Sequence, residues 1–189
     1  MSLVIDTPRG PFMLARSCNG CTLCCKVMIA EEPINKPAGV WCEHCTPGKG
    51  CGIHLKRPPV CSEFYCVWLM DPTLGEEWHP ETCHMVLSLD LDGMRFNAHC
   101  DQDFPDAWRA EPYYSQMKAK AAYALPLRGQ VVAYSRRNVI VMLPDRHVEL
   151  GILTDGEYIF IEDLGEGAWD ARKVNDAEVA ELREAGKLP

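Results

Sequence analysis

Nine of the eleven cysteines of this 189-residue chain lie between Cys18 and Cys66. They read Cys18-x2-Cys21-x2-Cys24-Cys25, then Cys42-x2-Cys45-x5-Cys51, then Cys61-x4-Cys66. A thiolate is a soft metal ligand as well as a nucleophile. Each C-x2-C step lets a tight turn aim two sulfurs at one ion. Zinc accepts four such thiolates tetrahedrally at about 2.3 Å, and iron–sulfur clusters use runs of the same spacing. The spacing alone leaves zinc and iron open. Buried free cysteines acting as small hydrophobes do not explain three runs at turn spacing. A thioredoxin-like redox pair would need alternating strands and helices around the motif, and these are missing.

The adjacent pair Cys24-Cys25 adds a constraint. Neighbouring side chains of an extended backbone point to opposite sides. On that geometry the two sulfurs are expected to serve two metal centres, or two corners of a polynuclear one. Nine clustered thiols also exceed the four positions of one mononuclear site. The expectation is two four-ligand sites, or one cluster plus one ion, with a cysteine to spare. An odd cysteine count prevents complete intramolecular disulfide pairing, and a vicinal disulfide at Cys24-Cys25 would be strained.

The segment that must position these thiols is rich in breakers: Pro33, Pro37, Gly39, Pro47, Gly48, Gly50, Gly52, Pro58 and Pro59. Long regular elements are not expected there, and bound metal would supply the order that helix or sheet cooperativity does not. Three zones follow: an extended lead-in over residues 1–17, a cysteine-rich metal-binding lobe over 18–70, and an α+β portion over 71–189 that forms one compact unit with the lobe. In the last zone, "HMVLSLDLDGMRFNAHC" reads as a hairpin, strand 84–90 and strand 94–99 about a turn near Asp92-Gly93. A helix is expected from Pro112 to Leu125, with Tyr114, Met117, Ala121 and Leu125 on one apolar stripe. "QVVAYS", "NVIVML" and "EYIFIED" read as strands, with "SRRN" as a hairpin turn. "NDAEVAELREAG" reads as a terminal helix capped by Asn175 or Asp176. The expected class is α+β: an irregular cysteine-rich lobe packed on a small, mostly antiparallel sheet with two helices.

Composition narrows the partners. The formal net charge is −8, which disfavours non-specific binding to nucleic acid. Apolar runs such as Val139–Leu143 are far shorter than the roughly 20 residues a helix needs to cross a bilayer. No basic segment followed by a long apolar core opens the chain, so a bacterial cytoplasm is the default compartment. No P-loop, G-x-S-x-G or H-E-x-x-H is present, and no carboxylate pair stands out as acid and base.

"CNGCTLCC" followed by "CGIHLKRPPVCSEFYCVW" resembles the bacterial cysteine-cluster proteins named for their CxxCxxCC motif, the YkgJ-like family. The resemblance extends over nearly the whole chain. Cys18, Cys21, Cys24, Cys25, Cys42, Cys51, Cys61 and Cys66 match the family's set, which implies a zinc- or iron-chelating domain. Three positions depart from the pattern: His54 stands where tyrosine is common, Ser62 where arginine follows the cysteine, and Cys45 is an addition. Cys45 is then either the spare thiol or a replacement for Cys42 as ligand. Arg57-Pro58 would hold a cation near thiolates that need screening. A related cysteine cluster occurs in flagellin lysine N-methylases, an analogy to an iron–sulfur enzyme or enzyme accessory acting in protein methylation.

Outside the lobe, Cys83 and Cys100 flank the two ends of the expected hairpin and could approach each other, with His79, His84 and His99 close by in sequence. Structural roles are the simpler expectation for these residues and for His54. His147 reads as incidental. Trp41 and Trp68 sit beside thiols, where they would shield a cluster, but core packing is the simpler role. The function expected is a metal-binding protein holding zinc or iron through clustered thiolates, with its surface left to bind a protein partner. Metal trafficking and iron–sulfur enzymology are the alternatives.

Overall fold

The chain enters through a two-stranded antiparallel ribbon, β1 (Val4–Thr7) and β2 (Gly10–Met13), where the sequence predicts an extended lead-in. In this computed structural model residues 4–7, 10–18, 20–90 and 94–188 are described. Through the cysteine-rich segment the breakers hold every helix to a single turn. Here lie α1 (Cys24–Val27), the two-residue strands β3 (Cys45–Thr46) and β4 (Gly50–Cys51), α2 (Pro59–Ser62) and α3 (Val67–Met70). A fourth short helix, α4 (Pro80–Cys83), leads into the sheet.

Five strands then build the main sheet: β5 (Met85–Asp90), β6 (Arg95–Cys100), β7 (Gln130–Ser135), β8 (Asn138–Met142) and β9 (His147–Ile152), in that spatial order. All pairings are antiparallel except β6 with β7, which is parallel, with Arg95 opposite Gln130. A parallel pair needs a crossover connection. Residues 101–129 supply it, and they carry α5 (Tyr113–Ala124). Tyr113, Met117 and Ala121 are buried on that helix, close to the apolar stripe read from the sequence. Both β5 and β6 fall within one residue of the predicted strands; the turn expected at Asp92-Gly93 lies outside the described residues. A separate hairpin, β10 (Glu157–Gly165) and β11 (Ala168–Asn175), precedes α6 (Asp176–Glu184). Asn175 caps α6 in a reciprocal box with Glu178, which satisfies donors that a helix end otherwise leaves open.

The architecture is α+β with a mostly antiparallel sheet. Only α5 and α6 exceed one turn among the described helices. One apolar core joins the lobe to the sheet: Leu23, Val27, Val67, Trp68 and Leu69 belong to the same buried cluster as Met85, Leu87, Val131 and Ile140.

One polar row interrupts the sheet. The Ser88 hydroxyl lies 2.9 Å from His99 Nε2, and the His99 ring stacks on Tyr134 at 4.9 Å. Burial drives the His99 imidazole down to about 4, against the opposing charge of Asp90. The unfolded chain takes up that proton near pH 6.5. This contribution to stability is therefore complete above about 6.5 and is lost as pH falls toward 4. His99→Gln is expected to flatten the profile across that window, by about 2 to 3 kcal/mol, in urea unfolding measured on either side of it.

Candidate metal centre

The thiols are brought together by turns. The amide of Cys21 donates to the Cys18 carbonyl at 2.8 Å, closing the first C-x2-C step. Gly20 sits inside it at φ +87°, a left-handed conformation that a side chain would strain. One turn of helix follows, in which the Cys25 amide donates to Thr22 at 2.9 Å. The Cys42 amide then donates to the Cys25 carbonyl at 2.9 Å, laying the second run on the first. Cys45 and Cys51 are cross-strand partners in β3 and β4. Cys61 lies on α2, and Cys66 precedes the first turn of α3.

This arrangement corrects one premise. The Cys24-Cys25 pair is helical rather than extended, and the Cys24 thiol hydrogen-bonds the Cys25 sulfur. The two sulfurs thus face the same space instead of opposite sides, because a helix separates neighbouring side chains by only about 100°. Adjacency no longer argues for two separate centres.

That space is a cavity of about 580 Å³. Cys18, Cys21, Cys24, Cys25, Cys42, Cys51 and Cys61 line it. Cys45 is set back, with its thiol hydrogen-bonded to Cys25. Cys66 is buried behind, near enough to Cys21 and Cys18 for their charges to interact. All eleven cysteines are free thiols. Among the described residues, no three Cys, His, Asp or Glu side chains are grouped closely enough to hold an ion as they stand.

Thiols this crowded resist ionising together. Its hydrogen bond to Cys25, followed by burial, pushes Cys24 far above the usual thiol range. Cys25 takes the benefit. The hydrogen bond from Cys24 lowers it to about 6 against the effect of burial, helped by Cys45, Lys36 and Arg57. Burial raises Cys21 and Cys45 to about 12 and raises Cys18, Cys61 and Cys66 as well. The Cys25 thiolate thus forms readily, while Cys18, Cys21, Cys24, Cys45, Cys61 and Cys66 need a compensating positive charge.

The walls supply some of that charge. Arg16, Lys36, Lys49 and Arg57 line the cavity, and among the described residues no aspartate or glutamate does. In a chain of net charge −8, this is a strong local reversal. Arg16 is pinned by the carbonyls of Trp68 and Asp71, each at 2.7 Å. Lys36 is buried, and its ammonium donates to the carbonyls of Lys26 at 3.0 Å, of Pro37 at 2.9 Å and of Met28. Two of those carbonyls belong to α1 and the residue after it, so Lys36 also fastens the end of the turn that carries Cys24 and Cys25. The Arg57 Nε–H is buried without a partner. His44, His54, Ser17, Thr22 and Tyr65 add further polar groups to the lining.

Sequence reasoning found Arg57 but missed Arg16, Lys36, Lys49 and His44 as parts of this site. Each stands alone among unlike neighbours, and only the fold gathers them. Just behind the wall, Lys26 is buried and bridges Asp101 at 2.6 Å and Asp103 at 2.5 Å, tying the thiol helix to the end of β6.

The outlying candidates have local roles. Cys83 is buried and its thiol donates to the carbonyls of Trp78 and Met85; Cys100 is buried in the core. Burial raises both to about 12. His84 stacks on Phe104 at 3.6 Å, and His79 packs edge-on against Trp68 at 4.8 Å. His147 does not line the cavity; Tyr114 Oη lies 2.9 Å from its Nδ1, and Trp108 packs edge-on to it. Neither Trp41 nor Trp68 lines the cavity; Trp68 is a core residue and donates to the Gly75 carbonyl. No family model matches this chain, and neither a curated protein nor a solved structure matches it.

Proposed function

We propose that this protein binds zinc or iron through clustered cysteine thiolates around the 580 Å³ cavity. The observation that carries the reading is the composition of the wall: seven thiols and four Lys or Arg side chains, with no carboxylate among the described residues. Uncharged thiols would leave those cations with no opposite charge in the wall. Thiolates held by metal retain negative charge, so the donor set and the cations fit each other. Seven lining thiols exceed the four positions of a single tetrahedral ion, which favours two centres or one polynuclear cluster. Cys45 and Cys66 both lie outside the lining; of the two only Cys66 belongs to the eight cysteines matched by the family resemblance, and we therefore take Cys45 as the spare thiol. Bound metal would supply the cross-links that a segment of single-turn helices lacks.

Elemental analysis of anaerobically purified protein is expected to find zinc or iron at more than one equivalent per chain. Chelation should remove it and loosen residues 18–70, read by increased amide exchange there. Loading should weaken as pH falls, because protons compete for the thiolates. Visible charge-transfer absorption would select an iron–sulfur cluster over zinc. Well-folded protein with neither element, its thiols free or paired, overturns the proposal.

A further inference from the structure

Metal alone does not account for the size and lining of the cavity. A thiolate centre fills its own space, with sulfur about 2.3 Å from zinc. The cavity, at about 580 Å³, instead falls in the range of roughly 300–1,000 Å³ typical of sites for small organic molecules. Its walls also divide by chemistry. Besides the sulfurs the lining holds Leu14, Met28, Ile34, Ile53, Phe64 and Leu69, apolar surface that gains nothing from a metal ion and is unfavourably exposed if only water fills the space.

Arg57 joins the two parts. Its Nε–H is buried and has no acceptor, a condition that costs free energy until an acceptor arrives. Its charge acts on Cys18, Cys25 and Cys61, so it stands close to the sulfurs. Arg16 and Lys36 have donors committed to backbone carbonyls, and Lys49 is exposed to solvent. Arg57 is therefore the cation of this wall whose Nε–H no protein acceptor engages.

We propose that the cavity is a binding site for a small organic acid with an apolar body, its carboxylate held by Arg57 beside the thiol wall and its body against Ile34, Phe64 and Leu69. The inference rests on the metal reading, since metal on the sulfurs is what leaves the remaining space to a ligand. It moves the site from a closed structural centre toward one that meets a substrate.

The test is calorimetric titration of the protein as purified with octanoate, octanol and octylamine, with metal content measured on the same samples. Octanoate is expected to bind one to one and more tightly than octanol, and octylamine not to bind. Arg57→Met should weaken octanoate about tenfold or more, the loss expected for one charge-assisted hydrogen bond, while leaving octanol nearly unchanged. Ile34→Trp, remote in sequence from every cysteine, should block octanoate while metal content and melting temperature stay as in the parent. Failure of octanoate to bind metal-replete protein, equal binding of octanol, or an Ile34→Trp protein that binds as before each overturns the ligand site and leaves the metal reading standing. Protein that contains no metal when isolated overturns the metal reading on which the inference rests.

Discussion

Cys24→Ser and Cys25→Ser proteins are each expected to retain less metal than the parent and to lose solubility. The two residues share one helical turn, and both sulfurs face the cavity, so neither can be removed without opening the same space. Cys25 holds the thiol most ready to ionise, at about 6. It depends for that on hydrogen bonds from both Cys24 and Cys45, and a serine hydroxyl at either place still donates, so Cys24→Ser deletes one candidate ligand and leaves Cys25 its donor. A structural thiolate site contributes on the order of 10 kcal/mol or more in small metal-folded domains. Partial loss here should therefore exceed the effect of any ordinary core substitution. The measurement is metal per chain in anaerobically purified variants, set against Cys45→Ser as the control, which should stay close to the parent. Full stoichiometry in either Cys24→Ser or Cys25→Ser would remove that residue from the ligand set.

The second large effect is expected at Lys26. Its side chain and that of Asp101 are 9% and 6% exposed, so Lys26→Met would strand a buried carboxylate. Breaking one side of such a pair costs about 3 to 5 kcal/mol, whereas replacing both partners by apolar residues recovers much of the loss. Lys26→Met alone should thus shift the urea midpoint strongly, and Lys26→Met with Asp101→Leu less so. Burial by itself would lower the Lys26 ammonium, but its hydrogen bonds to Asp101 and Asp103 more than reverse this and leave it raised above 10.5. The contribution is therefore complete below about pH 10.5 and is lost as pH rises through the higher native value. A Lys26→Met protein with parental stability would show that α1 is held by its apolar contacts alone.

How far the sequence reached depended on the range of the interactions. Hairpin β5–β6 and helix α5 follow from local periodicity, and the Asn175 cap of α6 from local chemistry, so they were legible. Strand β9 was not, because His147–Ile152 alternates poorly and contains Gly151 at φ +71°. Strand β11, "AWDARKVN", went unread because three of its eight positions are charged and its apolar residues do not alternate cleanly. The parallel pairing of β6 with β7 is decided across the 29 residues from 101 to 129, beyond any local signal. At the site, the spacing of the cysteines identified the thiols. The conformation of Cys24-Cys25 was misjudged because a four-residue helix carries no periodicity to detect. The cationic wall was invisible for a different reason. Arg16, Lys36 and Lys49 gain their meaning only from one another, and the chain scatters them over 33 positions.

That wall has a kinetic side. If the cavity holds metal as proposed, its four positive charges would steady a loaded, anionic centre, yet they would repel a bare divalent ion approaching the empty one. Entry would be hindered and escape discouraged by the same residues, so exchange with free metal should be sluggish in both directions. On that proposal the site would suit keeping its cargo rather than handing it on, and it would be filled most readily by a donor that arrives with the ion's charge already masked.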